Sequence, residues 1–288
     1  MKNTSSLEGK TVALTGSTGG IGRELCFYLA SLGADLVLVD RNEKKQNALR
    51  DELISEYPSL SVTGVICDLE DISSVKIATD RLIEIGVDVF IHNAGAYSIP
   101  RHKCKTGYDN VFEINFVSPY YMIRKLLPML DQRLGRVVVV GSIAHNYSKS
   151  DGDDIDFQSR TRASLVYGNA KRYLMFSLYS LFDGREGATL SVTHPGITFT
   201  GITAHYPKVI YAIIKYPMKV IFMRPRRAAL SVLRGVFEPT AKCEWIGPRI
   251  FSVWGLPKRR RLKTAGEEEI RAISLDAERI YMALTNNE

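Results

Sequence analysis

Three times this chain places a lysine four residues after a tyrosine: Tyr121 and Lys125, Tyr167 and Lys171, Tyr211 and Lys215. On a helix such residues lie one turn apart on one face, where they could form a proton-transfer pair. Spacing alone does not choose among the three. A second stretch with chemistry in it is Gly16-Ser17-Thr18-Gly19-Gly20-Ile21-Gly22. Glycines there let the backbone turn tightly and approach a pyrophosphate, and a following helix would offer free N–H groups and a partial positive charge. The five histidines and four cysteines show no metal-ligand spacing, so no metal site is expected.

These residues need positioning elements, and the hydrophobic pattern supplies them. The run 11–15 (TVALT) reads as a buried strand, and Leu25, Leu29 and Leu32 share one face of the helix that follows the glycines. Strands at 36–39, 61–66, 87–91, 137–140 and 188–193 alternate with helices at about 42–56, 72–85, 108–131 and 163–182. Uninterrupted apolar strands alternating with helices predict an α/β fold of Rossmann type: a doubly wound parallel sheet with helices on both faces. Beyond His194-Pro195-Gly196 the pattern loosens, with a Tyr-, Ile- and Pro-rich segment at 200–224, a helix near 226–237, a short CEWIG piece and a last helix near 266–284. Without repeats or low-complexity linkers, residues 1–288 read as one domain. Its expected parts are a cofactor and catalytic core (about 9–195), a substrate lid and helix (about 196–240) and a basic C-terminal extension (about 241–288).

Composition narrows the setting. The 288 residues are 45% hydrophobic and 24% charged, which is ordinary for a globular chain with a sizeable core. Cys26, Cys67, Cys104 and Cys243 are scattered, arguing against a disulfide framework and for a reducing compartment. The N-terminal MKNTSSLEGK lacks the apolar run of a signal peptide, and no stretch reaches 18 uncharged apolar residues, so a cytoplasmic location is expected. The net charge of +7 is concentrated late, in RPRR (224–227) and PKRRRLK (257–263). No nucleic-acid motif accompanies these clusters, so they read as a solvated basic face and nucleic acid is not an expected partner.

Around the glycine stretch the residues fit a dinucleotide. Asp40 closes the second strand in LVLVDRN, where its carboxylate can accept from ribose hydroxyls and repel a 2′-phosphate. Arg41 beside it can welcome that phosphate, so NAD is favoured and NADP stays open. Asp68 and Leu69, after the third strand, fit an adenine-edge contact. Asn93-Ala94-Gly95 follows the fourth strand, where ligands of parallel sheets sit at the carboxyl ends.

The set TGSTGGIG (15–22), NAG (93–95), Asn115, Ser142, YGNAK (167–171) and PGITFT (195–200), in this order, resembles the short-chain dehydrogenase/reductase family over roughly residues 9–237. The long loop between Ser142 and Tyr167, containing SIAH and DDIDF, resembles the branch that includes retinol dehydrogenases. The resemblance implies an NAD(P)-dependent oxidoreductase interconverting an alcohol and a carbonyl, with Tyr167 as general acid/base. Lys171 would stabilise the Tyr167 phenolate and bond the nicotinamide ribose, Ser142 would share the substrate oxygen, and Asn115 would hold a water in a proton relay. Pro195, Gly196, Thr198 and Thr200 would close over the nicotinamide. HNAG stands where NNAG is commoner, which bears on the local hydrogen bonds. His145 and Tyr147 are candidates for the substrate pocket or for a plain loop.

Tyr121 and Lys125 have no strand-end serine, and Tyr211 and Lys215 lie in the loose segment, so only Tyr167 and Lys171 keep the full set of companions. The expected substrate is a largely apolar alcohol or ketone, from the composition of 200–224 and the branch resemblance. That segment reads either as lid packing or as a peripheral membrane contact. Assembly into a homo-oligomer is left open. The rival readings are a non-catalytic dinucleotide-binding sensor and a membrane-surface or nucleic-acid adaptor working through the basic cluster.

Overall fold

The computed structural model describes residues 6–197, 223–262 and 264–286. Strands β1 (Thr11–Thr15), β2 (Asp35–Asp40), β3 (Val62–Ile66) and β4 (Val89–His92) alternate with helices α1 (Gly20–Ser31), α2 (Glu43–Glu56) and α3 (Ile72–Ile85). Helix α4 (Asn110–Phe112) then runs through a π-helical turn (Glu113–Val117) into α5 (Ser118–Gln132). Strand β5 (Arg136–Val140), a 3-10 turn (Ile143–Asn146), helix α6 (Ala163–Leu181) and β6 (Thr189–Thr193) complete the alternation. The late elements are α7 (Pro225–Phe237), β7 (Glu244–Ile250), β8 (Trp254–Arg261) and α8 (Glu267–Thr285).

Among the described residues one sheet holds eight strands, in the order β3-β2-β1-β4-β5-β6-β7-β8. Seven run parallel, and β8 pairs antiparallel with β7. The strand order reverses between β1 and β4, which opens a crevice at their carboxyl ends. Successive side chains of each strand face opposite ways, so β5 sends Val137 and Val139 into one core and Val138 and Val140 into the other. The first core packs under α3, α5, α6 and α8; the second packs under α1, α2 and α7.

Two regions depart from the sequence expectation. The helix expected over 108–131 is interrupted by the π turn at Asn115. Pro119 has no N–H to give the Asn115 carbonyl four residues back, so the regular ladder cannot close there. The basic run through residue 261 belongs to an edge strand, β8, rather than to a trailing segment, and the CEWIG piece opens its partner β7. Helix α8 is also built into the fold: Tyr173 donates to Asp276 (2.9 Å), and Tyr120 donates to Glu278 (2.6 Å). Among the described residues no helix is long and apolar enough to cross a membrane, and no three His, Cys, Asp or Glu side chains gather to hold a metal ion.

Candidate active site

The glycine stretch turns from β1 into α1 at the crevice. A Cβ on Gly22 would stand 2.0 Å from the Gly16 carbonyl oxygen, so only glycine lets the helix start this close to the turn. The cap residue Gly19 has no side chain to satisfy the first N–H groups of α1, which leaves them for a ligand. They border a cavity of about 810 Å³. Gly16, Thr18, Gly20, Ile21 and Gly22 line it at this end, and Asp40, Arg41, Asp68 and Leu69 continue the wall. Asn93, Ala94 and Gly95 close the far side. The uncapped helix end and the glycine cradle fit the pyrophosphate of a dinucleotide.

Ser17 differs from the contact expected of it. Its side chain is fully buried and its hydroxyl donates to Asp40. Asp40 also accepts from the Thr18 N–H (3.1 Å) and Thr18 hydroxyl (2.9 Å), so its carboxylate braces the glycine turn. Arg41 leans toward Glu70 (3.6 Å), and Lys45, unmarked in the sequence reading, joins the lining. The Asn93 carboxamide donates to the Thr15 and Gly16 carbonyls (3.2 and 3.1 Å), tying β4 to the turn. His92 meets the Thr15 hydroxyl through Nδ1 (3.1 Å), and burial keeps it well below the ordinary histidine range, so it is neutral here.

Ser142, Tyr167 and Lys171 come together across the start of α6. Gly168 makes this possible: a Cβ there would lie 2.3 Å from the Ala144 carbonyl, so the helix can press directly on the 3-10 turn that Ser142 caps. The next residue, Asn169, donates to the Ile155 carbonyl (2.6 Å) and holds the DDIDF loop against the helix. Four positions of YGNAK therefore have a partner in the loop, the turn or the strand end, and the fifth, Ala170, is buried in the core. Burial pushes the Tyr167 phenol up to about 12; a hydrogen bond with Ser142 pulls it down, and Tyr97 raises it further. The Tyr97 ring stands edge-on to Tyr167 at 5.3 Å.

Lys171 is 1% exposed, and burial draws its ammonium down to about 7. Its Nζ lies 5.7 Å from the Tyr167 ring centre and donates to the Val140 carbonyl (3.0 Å). Asn115 is fully buried on the π turn, its Nδ2 donating to the Ala96 and Val111 carbonyls (2.9 and 2.8 Å). Its Oδ1 has no partner among the described residues. A Cβ on Gly95 would lie 2.8 Å from this Oδ1 and 3.5 Å from Lys171 Nζ, so both groups adjoin Gly95. Ser142, Tyr167 and Lys171 are not in the cavity lining; Lys171 Nζ adjoins Gly95, which is.

Other expectations resolve differently. Pro195 and Gly196 are buried and outside the lining, and Thr198, Thr200, Tyr211, Lys215 and most of the expected lid lie outside the described residues. His145 is a core residue: its Nδ1 meets the Ser142 carbonyl (2.6 Å), its Nε2 meets the Thr264 hydroxyl (2.9 Å), and its ring lies edge-on to Trp245. Burial lowers it to about 4. Tyr147 borders a second hollow of about 460 Å³ beside Phe157 and Leu165. Tyr121 is buried on α5 against Tyr281, away from Ser142.

Sequence reasoning also missed Arg172, next to Lys171. It is 1% exposed and forks onto Glu269 at 2.7 and 2.6 Å. The same guanidinium donates to the His145 carbonyl (2.9 Å) and the Thr264 carbonyl (2.6 Å). The available signal was an arginine on the inner face of a helix with Glu267, Glu268 and Glu269 opening another.

A family model described as short chain dehydrogenase matches residues 10–151. Human Retinol dehydrogenase 14 is 29% identical over 265 residues, covering 85% of this chain and 78% of that protein. Human Polyprenol dehydrogenase is 26% identical over 207 residues, covering 68% of this chain and 63% of that protein. Among solved structures, an uncharacterised protein from Mycobacterium Paratuberculosis superposes with a TM-score of 0.76 at 23% identity, covering 96% of this chain and 95% of that one. Two short-chain dehydrogenases share the fold more loosely. One from Burkholderia phymatum in complex with NAD has a TM-score of 0.62 at 19% identity, over 82% of this chain and 88% of that one. The other, from Sphingobium yanoikuyae in complex with NADPH, has a TM-score of 0.61 at 22% identity, over 78% and 84%.

Proposed function

The chain belongs to the short-chain dehydrogenase/reductase family, and on that premise we propose that Tyr167 is the general acid/base for interconverting an alcohol and a carbonyl on a largely apolar small molecule. Membership makes it an NAD(P)-dependent oxidoreductase of CH–OH groups. The observation that carries the assignment is the meeting of Ser142, Tyr167 and Lys171 beside Gly95 of the cavity lining, supported by the contact of Gly168 with the 3-10 turn.

The bound dinucleotide supplies the hydride acceptor in oxidation and the hydride donor in reduction. Tyr167 takes the proton of the substrate hydroxyl in oxidation and returns it in reduction. A half-buried phenol pushed up to about 12 is a poor base at neutral pH, so it needs a stabilising positive charge. Lys171 supplies that charge from one turn along the helix. Ser142 donates to the same substrate oxygen and limits the charge that builds on it. The Asn115 Oδ1, unpartnered among the described residues and beside Gly95 as Lys171 Nζ is, can accept a hydrogen bond from a water, and that water would carry the proton leaving the ammonium on to solvent.

NAD is the proposed cofactor. The Asp40 carboxylate lies in the wall where a ribose 2′-phosphate would approach, and Arg41 is drawn toward Glu70. The apolar substrate rests on Ile99 and Ile114 in the lining and on the names of the relatives, which act on retinol and polyprenol. A panel of long-chain alcohols and ketones tests this by absorbance of the reduced cofactor. Turnover of apolar members is expected; turnover confined to sugars or other polyols would remove the substrate class.

A further inference from the structure

The tip of the β7–β8 hairpin gathers large apolar side chains in the open. Ile250, Phe251, Trp254 and Leu256 are 44%, 84%, 40% and 70% exposed. Leu256, Lys258 and Arg260 alternate along β8 and share one face of the strand, while Trp254 lies past a register shift at the turn, opposite Ile250. At about 7 Å per two residues, the cations follow Leu256 at roughly 7 and 14 Å toward the body of the fold. Arg249 is exposed opposite them on β7. Between Glu244 and Glu267 the sequence contains no Asp or Glu. Arg224 and Arg227, both exposed, open α7 just after Met223. Met223 lies close to the hairpin, since a Cβ on Gly196 would touch both the Met223 sulfur and the Val253 carbonyl.

We propose that this tip docks on an anionic lipid bilayer, with Phe251, Trp254 and Leu256 entering the headgroup–acyl boundary and Arg249, Lys258 and Arg260 at the level of the headgroups. The apolar end with a cationic collar behind it matches the layers of a bilayer surface, oily below and negatively charged above. Lysine and arginine stems can reach up to the phosphates while their methylenes cover the apolar layer. A further strand from another protein is disfavoured at this edge, because the cations of β8 would be stacked against the incoming chain. An orientation follows: the end of the sheet at which β7 turns into β8 faces the membrane. Neither the Tyr167 chemistry nor the cofactor enters this assignment.

The full-length chain should co-sediment with phosphatidylcholine vesicles containing about 30% phosphatidylserine, more weakly with phosphatidylcholine alone, and less as salt rises. The double variant F251S/L256S should lose roughly tenfold or more in vesicle affinity. R249E/K258E should lose binding selectively to the anionic vesicles. Melting temperature and dinucleotide binding serve as fold controls. In the unaltered chain, Trp254 fluorescence should be quenched by brominated-lipid vesicles, which keeps the test valid if a variant misfolds. Unchanged binding by F251S/L256S, no quenching, or binding of polyglutamate but not of vesicles would each overturn the proposal.

Discussion

Arg172→Met removes a fork that holds three parts of the fold together. The arginine is 1% exposed and donates twice to Glu269, once to the His145 carbonyl and once to the Thr264 carbonyl. Methionine fills a similar volume but donates nothing. Two carbonyls then lose this donor and the Glu269 carboxylate keeps only Ser150, and removal of one member of a buried pair costs about 3–5 kcal/mol. Water reaching the Glu269 carboxylate, 18% exposed at its side chain, favours the lower end of that range. For a chain of this size the loss corresponds to a melting temperature roughly 6–15 °C lower. The pH dependence gives a second reading. Burial alone would raise the Glu269 carboxyl, but the bonds from Arg172 and Ser150 outweigh it and hold the group below its ordinary value. A depressed carboxyl contributes stability that is present above the unfolded value and is lost as pH falls through the folded one. The gap between parent and variant should therefore be widest near neutrality and close in acid. Scanning calorimetry from pH 7 to about pH 4 measures both. A gap under about 2 °C at pH 7, or one that widens in acid, would refute the reasoning.

Gly22→Ala drives a methyl into the Gly16 carbonyl, a backbone atom that cannot swing aside, and should weaken dinucleotide binding by roughly a hundredfold as read by fluorescence titration. Equal affinity would mean that the glycine turn is not the cradle. Lys171→Met should abolish turnover yet leave the protein as stable or more so at neutral pH, because an ammonium is no longer buried. In the parent the lowered lysine binds fewer protons folded than unfolded between about 7 and its ordinary value near 10.4, so its contribution to stability should rise with pH across that window and vanish in the variant. Asp40→Ala should shift the NAD to NADP affinity ratio toward NADP and loosen the turn that Ser17 and Thr18 brace, and isothermal titration with both cofactors reads the change. An unchanged ratio would remove Asp40 from cofactor selection.

The parallel core was legible because buried strands and amphipathic helices leave opposite periodicities in the chain. Strand β8 was not, because an edge strand with both faces wet has no apolar alternation to read: WGLPKRRR looks like charge, not structure. Tyr167 and Lys171 could be picked out by their company. Gly168, which brings them to Ser142, could not, since a glycine between helix formers gives no hint of what it packs against. Asp40 was visible as an acid at a strand end, but its bonds to Ser17 and Thr18 depend on a turn that closes only in three dimensions. Arg172 and His145 illustrate the same limit. Their types suggest solvent or a pocket, and only the packing of α6 against α8 and Trp245 makes them interior.

The central claim is that Tyr167 moves the substrate proton, and replacing it by phenylalanine tests that claim most directly. The ring and its packing against Tyr97 are kept, and only the hydroxyl is lost. Turnover of any substrate found in the panel should fall by roughly 10²–10⁴, with dinucleotide affinity held near the parent value. A Tyr167→Phe protein that turns over at the parent rate, with its cofactor bound as tightly, would contradict the account.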